Sequence, residues 1–231
     1  MRPIGTGNPG LREEWLKRTL LKIEKEKTIL DIGAGQLRYK PYCQHLKYTS
    51  QDLGEYTGEQ TNVGLQHKWN AQKVDIISDI TDISVEDESF DASMCIEVLE
   101  HVPDPAKAMK EICRVVKKGG KIIITAPVCS LTHQAPYYNC NGFSEFFYKY
   151  WFEEFGVELI DMYKQGTFYD WIAQELRRLP HICQKYSKET MNEQDQKMIG
   201  TFINMMNKYY IKENNSSELL CYGICVFGEK K

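Results

Sequence analysis

The chain has 231 residues, 42% of them hydrophobic and 26% charged, with a formal charge of −3. That composition excludes whole-chain disorder, collagen-like repeats and coiled coil, and one α/β core still closes at this length, so a single domain is expected over residues 1–231. No apolar run reaches the roughly 20 residues of a membrane helix, no signal-peptide stretch opens the chain, and eight cysteines without Cys-x-x-Cys or zinc-type spacing imply a cytoplasmic protein with reduced thiols and no metal.

The first residues, rich in glycine and proline, read either as a flap able to close over a ligand or as a loose tail. A helix is expected from Leu11 to Glu24, with Trp15, Leu16, Thr19, Leu20 and Ile23 on one face. Short runs rich in β-branched residues predict strands at Thr28–Ile32, Tyr48–Gln51, Val74–Ser78, Phe90–Ile96 and Lys121–Thr125. A helix is expected from Asp104 to about Lys117. Asp104 caps it, Pro105 suits its first position, Ala108, Ile112, Val115 and Val116 face a sheet, and Gly119 or Gly120 supplies a left-handed stop. Strands joined by such helices pair in parallel through right-handed crossovers. An aromatic-rich helix, Phe143 to Phe155, then a strand, Val157 to Met162, lead into helical patterns at Thr167–Arg178 and Lys188–Ile211, and Leu219–Phe227 forms the last strand. The segment between those two strands is too long for a turn and reads as a helical insertion, about 166–217. The expected fold is α/β: a doubly wound, mostly parallel seven-stranded Rossmann-like sheet with helices on both faces and a helical insertion before the last strand.

Four features carry chemistry. Ile29 to Gly35 (ILDIGAG) runs from a strand into a Gly-x-Gly turn, where backbone amides can approach a ligand closely; a tight turn without a ligand is the plainer alternative. Arg38 stands where a dinucleotide fingerprint wants its third glycine. Asp52, followed by Leu53, closes the second strand, where a carboxylate can accept both hydroxyls of a ribose or simply be solvated. Asp79-Ile80 after the third strand suits an adenine, the acid accepting from the exocyclic amine and Ile80 covering the ring. Glu97 to His101 form the rim of the same cleft after the fourth strand.

In this order and spacing the features resemble the class I S-adenosylmethionine-dependent methyltransferases of the methyltransferase type 11 group, closely over residues 28–127. Leu99 to Pro105 (LEHVPDP) matches that group's signature after the fourth strand. The resemblance implies S-adenosylmethionine as cofactor. Asp31 would receive the methionine amine, Gly33 and Gly35 would shape that pocket, Asp52 and Leu53 would hold the ribose side, and Asp79 and Ile80 the adenine. Glu97 would lie at the methionine or substrate end. It also divides the chain into an N-terminal flap and helix (1–27), a cofactor-binding half (28–127) and a substrate-side half (128–231). Thr132 to Tyr138 and Asn141 to Ser144 resemble methyltransferases that occur with surface-polysaccharide and nucleotide-sugar enzymes, which implies a sugar or other surface-glycan building block as acceptor.

A hydroxyl acceptor needs a base, for which His133 is the first choice unless it merely bonds backbone; an amine needs only a polar cage from Tyr137, Tyr138 and Glu97. The expected catalytic set is His133, Tyr137 and Glu97, with His101 orienting its loop. The aromatic span reads as helix core or as a substrate platform. The implied partner is a small-molecule acceptor. Scattered basic residues argue against nucleic acid, nothing suggests a membrane, and monomer and homodimer both remain open. A nucleic-acid or protein methyltransferase and a catalytically inactive cofactor-binding subunit are the alternatives.

Overall fold

The computed structural model describes residues 2–58, 61–65, 69–70 and 72–231. Its strands are β1 (Thr28–Ile32), β2 (Lys47–Asp52), β3 (Ile76–Ile77), β4 (Phe90–Ile96), β5 (Val116–Pro127), β6 (Val157–Gln165) and β7 (Gly223–Lys230). The helices are α1 (Asn8–Leu20), α2 (Pro105–Arg114), α3 (Glu145–Glu154), α4 (Phe168–Ile182) and α5 (Glu193–Tyr210). The strands make one sheet in the order β3-β2-β1-β4-β5-β7-β6. Pairing is parallel from β3 through β5, and β7 runs antiparallel to β5. α2 carries the crossover from β4 to β5, and the parallel strands set their carboxyl ends on the same edge, where ligands bind in such sheets.

The central strands are buried on both faces, as parallel strands between helices must be. Trp15, Leu16 and Leu20 pack with Ile29, Met94, Ile123 and Phe227 on one face. Ser93, whose side chain points opposite to that of Met94, bonds Ile112 O of α2 at 3.5 Å, which puts α2 on the other.

Several expected boundaries shift: the first helix, expected at Leu11–Glu24, runs from Asn8 to Leu20, and β6 continues past Met162 to Gln165. α2 stops at Arg114 because its guanidinium turns back to Glu111, Ile83 O and Val85 O, and Val116 already pairs with Phe90. Gly119 and Gly120 therefore lie inside β5 instead of ending the helix. A Cβ at Gly120 would stand 2.7 Å from Asp91 O, beside the register shift between Phe90 and Ala92, so the glycines serve an irregularity in the pairing. β3 shrinks to two residues, since Asp75 spends its carboxylate on the Ser50 amide and hydroxyl at 2.9 and 2.7 Å. β7 starts at Gly223, later than the apolar run suggested.

By compactness the chain divides into Glu13–Tyr163 with Gly223–Lys231, which holds most of the sheet, and Met1–Arg12 with Lys164–Tyr222. In the second unit Ile4, Ala173, Ile203 and Met206 form a small core. Gly5 N donates to Asp170 Oδ1 at 3.1 Å, and a Cβ at Gly5 would meet Ala173 C at 2.6 Å. The glycines of the opening segment thus permit close packing on α4, and the segment is bonded into the helical unit instead of hanging as a loose flap.

Candidate functional site

β1 ends in a turn whose glycines adopt left-handed backbone, φ +72° at Gly33 and +49° at Gly35. A Cβ at Gly33 would come within 2.5 Å of Val98 Cγ2, and one at Gly35 within 2.8 Å of Trp69 Cη2, so glycine is required at both positions. Three amides hold the turn against β2: Ala34 N to Gln51 O at 2.9 Å, Gly33 N to Gln51 Oε1 at 3.3 Å and Gly35 N to Asp52 Oδ2 at 2.9 Å. Gln51 is a residue the sequence reasoning missed. Its buried side chain spans from Gly33 to Ser78 O, at 2.6 Å, and so fixes the glycine turn relative to the turn after β3. The available signal was an amide side chain directly before the acid, at the end of a strand. Asp52 Oδ1 also accepts from Gly54 N at 2.8 Å, so both oxygens of the expected ribose acid are oriented by backbone. Leu53 is exposed, Ile80 is buried, and the exposed Asp79 accepts from Thr81 N at 2.7 Å.

Asp31 is 2% exposed and accepts from Tyr48 OH at 2.5 Å. Burial pushes its carboxyl up to about 7; the Tyr48 bond opposes that rise and the nearby Asp52 charge adds to it. A buried acid poised this way suits a cationic partner more than solvent.

A second group gathers at the ends of β4 and β5. Glu97 takes a left-handed backbone, φ +58°, and accepts from Thr125 Oγ1 at 2.9 Å. Glu100, 1% exposed, holds the following loop by accepting Asn139 N and Cys140 N on its carbonyl. His101 Nδ1 bonds Tyr137 O at 2.5 Å and His133 Nδ1 bonds Leu131 O at 2.9 Å, with ring centroids 4.8 Å apart. Burial, helped by the neighbouring His133, lowers His101 to about 4, so it is neutral at ordinary pH. The Nε2 atoms of His101 and His133 lie 3.8 and 3.9 Å from Glu100 Oε1. Leu65 is stitched to the same loop through Leu65 N to Thr132 O and Gln134 N to Leu65 O.

The three expected catalytic residues thus turn to different partners. His133 joins Glu100 and His101, Glu97 engages Thr125, and Tyr137 OH donates to Glu55 Oε2 at 3.0 Å. The Tyr137 ring meets Tyr56 edge-on at 6.1 Å, and Tyr56 meets Trp69 at 5.0 Å, so aromatic rings link this rim to the glycine turn. In the aromatic span, Phe143, Tyr148 and Phe152 are core, while Phe146 and Tyr150 face solvent.

A glycine turn after β1, an acid closing β2 and a Glu/His rim after β4 and β5, on a parallel sheet completed by an antiparallel β7, define a Rossmann-like methyltransferase fold. Residues 30–124 match the family model described as a methyltransferase domain. A ubiquinone biosynthesis O-methyltransferase of Dechloromonas aromatica (strain RCB) is 30% identical over 131 residues, which cover 54% of this chain and 53% of that protein. The chain spans about half the length of the curated relatives it matches. Among solved structures, a methyltransferase-fold protein of Bacillus halodurans is 18% identical with a TM-score of 0.51, covering 93% of this chain and 98% of that one. The Haemonchus contortus phosphoethanolamine N-methyltransferase 2, in complex with S-adenosyl-L-methionine, is 17% identical with a TM-score of 0.51, covering 93% of this chain and 52% of that one. These structural likenesses show the fold. The curated relatives named here are O-methyltransferases of ubiquinone biosynthesis, so they lend nothing to a surface-polysaccharide setting.

Proposed function

We propose that the chain is an S-adenosylmethionine-dependent methyltransferase that modifies a hydroxyl of a small molecule. The observation that carries this reading is the convergence, at the carboxyl ends of β1, β2, β4 and β5, of the Gly33–Gly35 turn, the backbone-oriented Asp52, the buried Asp31 and the Glu/His rim. The donor set fits the cofactor: a buried acid for an ammonium, amides without side chains at the turn, and an acid at the ribose position. Asp31 would hold the amine end, Asp52 with Leu53 the ribose, and Asp79 with Ile80 the adenine. When bound, S-adenosylmethionine supplies an electrophilic sulfonium methyl group. The chain's task is then to align an acceptor lone pair and keep water out, a contribution of about 7–11 kcal/mol in well-oriented systems.

The names of the curated relatives support oxygen over nitrogen as acceptor atom, and, in naming ubiquinone biosynthesis, they favour an acceptor of that kind over the sugar implied by the Thr132–Ser144 resemblance. Titration calorimetry with S-adenosylhomocysteine tests the cofactor claim, and the expected result is one site per chain. Absence of binding to folded protein would remove it. A panel of catechol-type and sugar acceptors, read by mass increase of one methyl, separates the two acceptor classes. Replacing His133 with Ala should depress turnover by about 10²–10⁴-fold with little change in cofactor affinity. Turnover equal to the parent's would take His133 out of the acceptor site.

A further inference from the structure

Glu100, His101 and His133 present one ligand atom each, all within 4.8 Å of one another. The two histidines come from different loops, one after β4 and one after β5, and each gives its Nδ1 to a backbone carbonyl, Tyr137 O or Leu131 O. A carbonyl only accepts, so Nδ1 carries the hydrogen in both rings, and in each neutral ring Nε2 is the electron-pair donor. Both Nε2 atoms face the same oxygen of the same buried carboxylate, at 3.8 and 3.9 Å. Fixing imidazole through Nδ1–H to a carbonyl while Nε2 points inward is how proteins hold metal-ligating histidines.

We propose that Glu100, His101 and His133 bind a divalent first-row cation, of the Mn²⁺, Co²⁺ or Zn²⁺ type, that takes an acceptor hydroxyl oxygen as a further ligand. Nitrogen and oxygen donors without thiolate fit those ions. Bonds of about 2.0–2.2 Å put neighbouring ligands about 3.0–3.4 Å apart, so side-chain shifts of up to roughly an ångström each close the observed spacing. Three protein ligands leave positions open, which is the arrangement of a catalytic metal and not of a structural one. Two of the three ligands come from the Leu99–His101 turn after β4, at the carboxyl edge of the sheet. An oxygen bound to the cation loses its proton to solvent more readily, as metal-bound water does, and its lone pair is fixed in direction. His133 then acts as a ligand, and the loss of turnover expected for its alanine variant is a loss of the cation.

This function for the cation rests on the methyl-transfer reading, but binding itself does not. The test uses the full chain stripped with chelator and titrated with Co²⁺ alone. Visible d–d bands saturating at one equivalent and a rise in melting temperature are expected. His133→Ala and Glu100→Gln should each weaken Co²⁺ binding by at least about 10–100-fold. His133→Ala serves if the buried Glu100 variant fails to fold, and its affinity for S-adenosylhomocysteine reports that its fold is intact. No saturable Co²⁺ signal from a parent chain that binds S-adenosylhomocysteine would overturn the cation site and leave the cofactor reading standing. A Co²⁺ signal undiminished in folded His133→Ala would likewise overturn it. Saturable Co²⁺ binding lost in that variant, with no cofactor binding by the parent, would keep the site and remove the methyltransferase reading.

Discussion

Asp31 links burial to binding. Its carboxyl titrates near 3.8 in a free chain and at about 7 here, so the folded protein holds the extra proton between those values. Its contribution to stability is greatest below about 3.8 and is lost as pH rises through about 7. Chemical denaturation across that window should show this slope, and Asp31→Asn should flatten it. An ammonium ligand needs the ionised acid, so affinity for S-adenosylhomocysteine should climb through pH 7 and binding below it should release a proton, which calorimetry in buffers of different ionisation heat detects. Asp52→Ala should cost about 1.5–3 kcal/mol of cofactor affinity in the same titration, with the protein still folded. Asp31, the glycines and Asp52 were recognisable as candidates from their order in the sequence because each is read from its own strand end. Gln51 and Glu100 were not, since their importance lies in what they reach across the fold: Ser78 from Gln51, and two histidine rings from Glu100. Gln51→Ala should leave Gly33 N without its side-chain acceptor and destabilise the chain by about 1–3 kcal/mol, measured by urea unfolding.

Helix α2 shows how local rules work and where they stop. Asp104 accepts from Lys107 N and Pro105 opens the helix, as the sequence predicted. Asp104→Ala should cost about 0.5–2 kcal/mol in urea unfolding, without affecting cofactor affinity per folded molecule. Its far end was misjudged because Gly-Gly after a basic run reads as a stop, whereas pairing of Val116 with Phe90 and the inward grip of Arg114 had already ended the helix. Tertiary partners decided that boundary, and no window of neighbouring residues contains them. The same holds for β3, whose flanking Asp75 prefers Ser50 to a longer ladder.

At the scale of the molecule, the near-balanced charge of −3 predicts that acceptor affinity is flat with ionic strength. A steep fall with salt in a filter-binding assay would instead favour a polyanionic acceptor. Fold class was readable because alternating strands and helices admit few topologies; the acceptor was not, since the family match ends at residue 124 and fold alone does not fix an acceptor. The antiparallel β7, Gly223 to Lys230, lies between β5 and β6 and pairs Ile123 with Phe227. That inserts a strand late in chain order inside the sheet, one place from its edge. During synthesis β5 must wait for its neighbour through about a hundred residues of unfinished chain, offering an unpaired apolar edge to anything else in reach. The helical stretch between β6 and β7 therefore sets a delay as well as a structure, and shortening it should quicken refolding more than it changes final stability.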